Sequence, residues 1–423
     1  MADALAALPQ LVVEGYRATT FDYDPPADAD PSTRVGKEKW IEVFRASIPE
    51  FSRRAASDPR VADAAALARR FAASFDADLD RVASGDHASL FEGAPTVLKL
   101  CGLRDRALRD LGFEDCFLDV KTAENARALA TLPAVLREMD AIRDPGARIE
   151  ALVRGVFAGN VFDLGAAASA ARHADGDGGF EATRAGLKRR PWCVDHLDAF
   201  RDAWLASATD NTSKKTGDDV SSETSRVVSS FPSPWKKCVL FVDNAGADVV
   251  LGMLPLCREL LRGGAEVVLA ANERPSINDV TARELRALLP RVAEAERLVG
   301  FSGGSGAFGA VERNENEFTK NENEFTKLGV FQRALDANTL VVVSSGSDLP
   351  VIDLSRVSAE LVDAARGADL VVLEGMGRGI ETNLFARFAC DALNLGMVKH
   401  PEVAQCLRGT LYDCVCRFAR PEE

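Results

Sequence analysis

Cys238-Val-Leu-Phe-Val-Asp-Asn-Ala-Gly246 is the stretch on which the reading of this chain turns. Five apolar residues run without polar alternation into an Asp-Asn-Ala-Gly corner. A run that short and that uniformly apolar reads as a strand buried on both faces, ending at a polar turn. The same phrase recurs downstream. Glu266–Ala270, Thr339–Val343 and Asp369–Leu373 are strand candidates of the same type, with a short Met397–Val398 near the end, and helical stretches fill the intervals. Strand, helix, strand is the signature of a parallel sheet with covering helices, so residues 236–423 are expected to form a Rossmann-like α/β domain.

Upstream the rhythm differs. Ala55 to Ala83, Ala123 to Ile142 and Asp195 to Ala206 repeat apolar residues at spacings of three and four, which predicts helices. Strand signals are hard to find there, and residues 1–205 read as an all-α helical domain. Between the two lies 206–235, rich in Ser, Thr, Asp and Lys, which reads as a linker or exposed loop. Asn314-Glu-Asn-Glu-Phe-Thr-Lys320 is repeated unchanged as residues 321–327. Two copies do not make a solenoid. The heptad pair at 314–327 reads as a polar surface insertion with no catalytic role.

Composition narrows the function. The 423 residues carry a formal charge of −13 and 47% hydrophobic residues. Such acidity argues against binding a nucleic-acid backbone, which rewards clustered positive charge. No apolar run approaches membrane-spanning length and no secretory leader is evident, so a soluble, cytoplasmic protein is expected. Nine cysteines, an odd count, fit a reduced compartment. Cys414-Val-Cys416 reads as part of a late strand with both thiols on one face rather than as half of a zinc site, because no second Cys pair exists.

Open parallel sheets bind ligands beyond the carboxyl ends of their strands. The residues that follow each predicted strand are therefore the candidates: Asp243-Asn244, then Asn272 to Asp279, then Ser344 to Asp348, then Glu374-Gly-Met-Gly-Arg-Gly379, and finally Lys399-His400. Asp243, Asn244 and Asp279 offer two carboxylates and a carbonyl, hard oxygen donors suited to Mg²⁺ or Mn²⁺. Their plainer roles are turn residues and helix caps, since Ser276-x-x-Asp279 and Thr281-x-x-Glu284 both resemble capping boxes. The Gly375-x-Gly377-x-Gly379 loop misses the dinucleotide fingerprint by one residue. It is better suited to presenting backbone N–H groups to an anion, with Arg378 beside it and Lys399 as a point charge on the same phosphate. A haloacid-dehalogenase reading of Asp243 fails, because Ala245 stands where that chemistry wants a second Asp.

Taken together, Phe241-Val-Asp-Asn-Ala-Gly-Ala-Asp248, Ala271 to Thr281, Ser344 to Pro350, Leu373 to Asn383 and Gly396 to Pro401 resemble the metal-dependent damage-control phosphatases, the family long catalogued as domain of unknown function 89. Val120 to Asn125, Ala158-Gly-Asn-Val-Phe-Asp-Leu-Gly165 and Arg190 to Asp195 extend the likeness into the helical part. The plant and algal members, related to the phosphatase domain fused to animal pantothenate kinase, are the most similar subgroup. The resemblance implies a helical cap on a Rossmann-like domain, and a divalent ion (Mn, Mg, Co or Ni) on Asp243, Asn244 and Asp279. It also implies hydrolysis of small phosphomonoesters such as 4′-phosphopantetheine or its oxidised forms. Asp243 and Lys399 would be catalytic. Asn160, Asp163, Asn383 and Lys399 match family positions that face the substrate, beside the phosphate-holding loop of Gly375, Gly377 and Arg378 read above. Whether Asp243 or a water attacks stays open at this level, and so does the oligomeric state. Two rival readings remain, a non-catalytic binder of phosphometabolites and an S-adenosylmethionine-dependent carboxyl methyltransferase.

Overall fold

The apolar run at 238–242 does form a strand, and it lies inside a seven-stranded sheet. A computed structural model describes residues 5–161, 179–210, 231–300 and 328–421. Asp163 and the duplicated heptad at 314–327 lie outside these residues, as does most of the 206–235 segment. The strands are β1 (Val194–Asp195), β2 (Lys237–Phe241), β3 (Glu266–Ala271), β4 (Leu340–Ser344), β5 (Leu370–Glu374), β6 (Asp391–Met397) and β7 (Cys414–Ala419), in the order β1-β7-β6-β5-β2-β3-β4. Parallel pairing holds from β4 through β3, β2 and β5 to β6.

Three features differ from the expected sheet. The strand expected as Met397–Val398 is the seven-residue β6. Its pattern is broken by Asn394, which is fully buried and donates to the Gly379 and Asn383 carbonyls. The last strand, β7, runs antiparallel to β6, so the sheet is mixed. And β1, two residues from the otherwise helical half, pairs in parallel with β7. The reading of Cys414 and Cys416 holds. Both are fully buried on one face of β7 and the nine cysteines are unpaired thiols.

The period-two geometry of strands sorts side chains into two cores. Cys238 and Leu240 of β2 face one, with Leu269, Val372 and Leu395 beside them. Val239 and Phe241 face the other, with Val268, Val371 and Leu373. The first core is closed by α4 (Leu118–Ala141), α5 (Pro145–Asn160), α7 (Leu197–Asp210), α8 (Leu254–Arg262) and α9 (Ala282–Gly300), with the short α6 (Phe180–Ala185) alongside. The second is closed by α11 (Ala359–Ala365) and by an N-terminal segment that bridges Leu11 to Phe388. Both faces are therefore covered, as uniformly apolar strands require. The remaining helix behind the first core is α10 (Val330–Asp336).

A third core forms the cap. Trp40, Phe44 and Phe51 of α1 (Lys37–Ala56), Phe71 and Phe75 of α2 (Ala64–Ser84), and Leu100 of α3 (Val97–Arg109) pack together. Asp58-Pro59 separates α1 from α2 at Ser57 to Asp63, because the residue before a proline disfavours helical backbone. This cap core continues into Met376, Ile380, Val398 and Val403, the last in α12 (Pro401–Cys406). The cap thus sits on the carboxyl-terminal edge of the sheet. Among the described residues no helix is long and apolar enough to cross a membrane.

Candidate active site

Asp243 lies two residues beyond the end of β2, and its backbone N–H donates to Oε2 of Glu374, the last residue of the neighbouring β5, at 2.9 Å. Adjacent strand ends therefore bring two carboxyls together. A backbone bridge from Asn244 to Asp279 ties in the segment after β3. The chain enters α9 through a true capping box, in which Thr281 N–H donates to Glu284 and Glu284 N–H donates back to Thr281 Oγ1. The cap therefore belongs to Thr281, and Asp279 is left to face the site.

Arg378 connects the two aspartates. One guanidinium nitrogen pairs with Asp243, and the other reaches Asp279 Oδ2 at 2.6 Å and Asn272 Oδ1 at 2.9 Å. Asn272 in turn donates to Asp279 Oδ2 at 3.0 Å. Arg378 is 1% exposed, so it orients the carboxylates from within the protein. Asn160, at the end of α5, does the same from below. Its amide nitrogen donates to Glu374 at 2.8 Å and Asp248 at 3.0 Å, with a longer contact to Asp243, while its oxygen accepts from the Met397 amide of β6.

Asp248 was not singled out from sequence. It opens the π-helical turn Asp248–Met253 and accepts from the Asn244 side chain at 2.8 Å. Wide turns of this kind recur at functional sites. Asp243, Asp248 and Glu374 each place an oxygen within 4.8 Å of the others. The signal available in sequence was the second carboxylate five residues after Asp243.

Charge balance follows from burial. Asp243, Asp248, Asp279 and Glu374 are buried, and so are the facing cations Arg378 and Lys399. Burial pushes the Asp243 carboxyl well above the usual range; Arg378 opposes this and Asp279 adds to it. Burial likewise raises Glu374, reinforced by the charges of Asp248 and Asp243. Asp248 rises for the same first cause, opposed by Lys399. Four carboxyls against two cations leave a shortfall of two positive charges. No donor among the described residues reaches Asp248 Oδ1. An all-oxygen donor set lacking two positive charges fits a hard divalent cation.

Above this floor opens a pocket of about 360 Å³. Asp243, Asn244, Asp279 and Lys399 lie at its base, and Tyr23, Trp40, Val97 and Met376 line its walls. Gly377 lines it too. Gly375 acts differently. Its φ is +97°, a Cβ there would overlap the Asp243 carboxylate, and its amide donates to Leu395. Gly379 likewise donates its amide to Gly375. These two glycines serve close packing of chain against Asp243 and the sheet. Asn383 does not line the pocket. Its amide bonds the Ile352 and Arg378 carbonyls and its oxygen accepts from Tyr16 at 2.8 Å, so it buckles the turn after Met376–Thr382. The structure thus gathers Asp243, Asn244, Asp279, Gly377 and Lys399 at the pocket, and puts Asn160, Gly375 and Arg378 directly behind it.

Residues 37–415 match the sequence-family model of the damage-control phosphatase ARMT1-like domain. The chain is 43% identical over 411 residues to the damage-control phosphatase At2g17340 of Arabidopsis thaliana, covering 97% of this chain and 95% of that one. Over 407 residues it is 30% identical to the 4′-phosphopantetheine phosphatase of Mus musculus, covering 92% of this chain and 46% of that one. Pantothenate kinase 2 of Oryza sativa subsp. japonica is 38% identical over 383 residues, which make up 38% of its own length. The fold is similar to the crystal structure of a protein of the domain-of-unknown-function-89 family from Pyrococcus horikoshii, with a TM-score of 0.50 at 16% identity, covering 90% of this chain and 98% of that one.

Proposed function

Because this chain belongs to the damage-control phosphatase family with an ARMT1-like domain, we propose that it hydrolyses small phosphomonoesters with the help of a divalent cation, 4′-phosphopantetheine and its damaged forms among them. The observation that carries this reading is the convergence of Asp243, Asn244, Asp279 and Lys399 on the floor of one apolar-walled pocket at the carboxyl ends of the strands.

Asp243, Asn244 and Asp279 are assigned to the cation, with Asp248 and Glu374 close enough to Asp243 to complete its surroundings. Mn²⁺, Mg²⁺, Co²⁺ and Ni²⁺ all suit oxygen donors of this kind. When bound, the cation supplies charge for the phosphate oxygens and activates the attacking group. Everything else is done by the chain. Lys399, 1% exposed, presents a fixed positive charge to the phosphate without reorganisation during reaction. Arg378 and Asn160 hold the Asp243 carboxylate in one orientation, a positioning role. Tyr23, Trp40 and Met376 exclude water and leave room for the organic part of the ester.

Phosphate release is measured on a panel of phosphometabolites and on para-nitrophenyl phosphate, metal by metal, after chelation. The chelated protein is expected to be inactive and to recover on adding Mn²⁺ or a related ion. Asp243→Asn, which keeps side-chain shape, is expected to lose about 10³-fold or more in turnover while still melting cooperatively. Full rate in the chelated protein, or in Asp243→Asn, would sink the assignment.

A further inference from the structure

Arg104 of α3 enters the same pocket from the cap, and neither the cation nor the carboxylate floor accounts for it. It is 4% exposed and lines the cavity. Its guanidinium is fixed on two sides. Nε donates to Asp105 Oδ1 at 2.8 Å, and the group lies over the Phe51 ring, 4.5 Å from the centroid. Asp105 is fixed in turn by the Ser276 hydroxyl, three residues before Asp279. Neither Nη atom has a hydrogen-bond partner among the described residues, and Nη2 is fully buried as well. A guanidinium that only pinned α3 to the segment before Asp279 would need Nε and the ring contact. It would not need a buried N–H left without an acceptor, which costs folding free energy.

We propose that Arg104 is a substrate-binding residue whose guanidinium donates to an oxygen of the bound phosphoester, from the cap side and opposite the carboxylate floor. The proposal rests on the phosphatase reading of this pocket. The oxygen belongs either to the phosphate or to the organic part of the ester; both are acceptors that match a rigid guanidinium fork. The cap thereby contributes recognition as well as walls.

The test uses the full chain with Mn²⁺ and compares wild type, Arg104→Met and Arg104→Lys on para-nitrophenyl phosphate and on 4′-phosphopantetheine. Arg104→Met is expected to raise KM about tenfold with a smaller change in kcat, the size of one lost charged hydrogen bond. Arg104→Lys is expected to recover part of that loss. Loss on both substrates assigns the oxygen to the phosphate, and loss on 4′-phosphopantetheine alone assigns it to the organic part; either supports the proposal. Unchanged KM on both, or a fall in kcat alone that follows a lowered Tm, overturns it. Should Arg104→Met fail to fold, Arg104→Lys decides by the same KM comparison. If wild type releases no phosphate, the phosphatase reading has failed, and calorimetric titration with 4′-phosphopantetheine judges Arg104 separately. Weaker binding by the variant supports it, whereas equal binding, or none by wild type, overturns it.

Discussion

At the residue scale the site is a set of carboxylates held by neighbours that do not themselves reach the pocket. Gly375 shows how little slack exists. Its positive φ excludes most side chains, and any Cβ would overlap the Asp243 carboxylate. Gly375→Ala is therefore expected to cost about 3 kcal/mol or more of stability, because strain and overpacking act together. It should also lower turnover, since the carboxylate has to move. Thermal melts and phosphate-release assays on the one variant check both, and wild-type values in both would contradict the close approach. Legibility at this scale was uneven. Asp243, Asn244 and Asp279 stood out because strand ends in a parallel sheet point to one rim. Asp248 did not, because its place depends on a π-helical turn that has no sequence signature. The anchoring role of Arg378 was also hidden, since a glycine-flanked arginine looks the same whether it meets a phosphate or two buried aspartates.

At the scale of elements, α4, α8 and α9 are joined behind the sheet by an ion network. Arg258 of α8 meets Asp140 of α4 at 2.8 Å and Glu296 of α9 at 2.5 Å, and Arg262 also reaches Asp140. Burial raises the Asp140 carboxyl, yet hydrogen bonds from Arg258 and Arg262 outweigh it and hold the group below its ordinary value. The sign follows directly. A lowered folded-state pKa gives stability that is present above the unfolded value, near 4, and lost as pH falls through the folded one. Asp140→Asn is expected to lose about 1–3 kcal/mol at pH 7, with the deficit narrowing below about pH 4. Denaturant unfolding at both pH values checks this, and a pH-independent difference would rule it out. Strand and helix types were readable from β2 to β5, where apolar runs are unbroken. They were not readable for β6, whose run is broken by the buried Asn394 that satisfies the Gly379 and Asn383 carbonyls, nor for β1, too short for any periodicity.

For the whole molecule, the cap and the sheet share a core, so the pocket is built jointly by both halves of the sequence. The duplicated heptad offers a test at this scale. The sequence reading of 314–327 as a polar insertion implies tolerance to changes in length, because closure entropy grows slowly. Deleting one copy, residues 321–327, is expected to leave kcat/KM within about twofold of wild type and Tm within a few degrees. A loss of activity on that deletion would show that the repeat supports the site. The outline of the fold, an α/β sheet under a helical part, was legible in the succession of patterns. The antiparallel β7 was not, because buried strands look alike in either direction.

The pairing of β1 with β7 also has consequences during synthesis. Val194 meets Val415, and His196 donates its amide to the Cys416 carbonyl, so this edge joins segments more than two hundred positions apart. A nascent chain on the ribosome must carry the short edge strand unpaired until nearly all of the sheet has emerged. Contacts this distant in sequence form late and slowly. Until then the open side of the sheet is exposed to other chains, the interval in which a chaperone would be needed most.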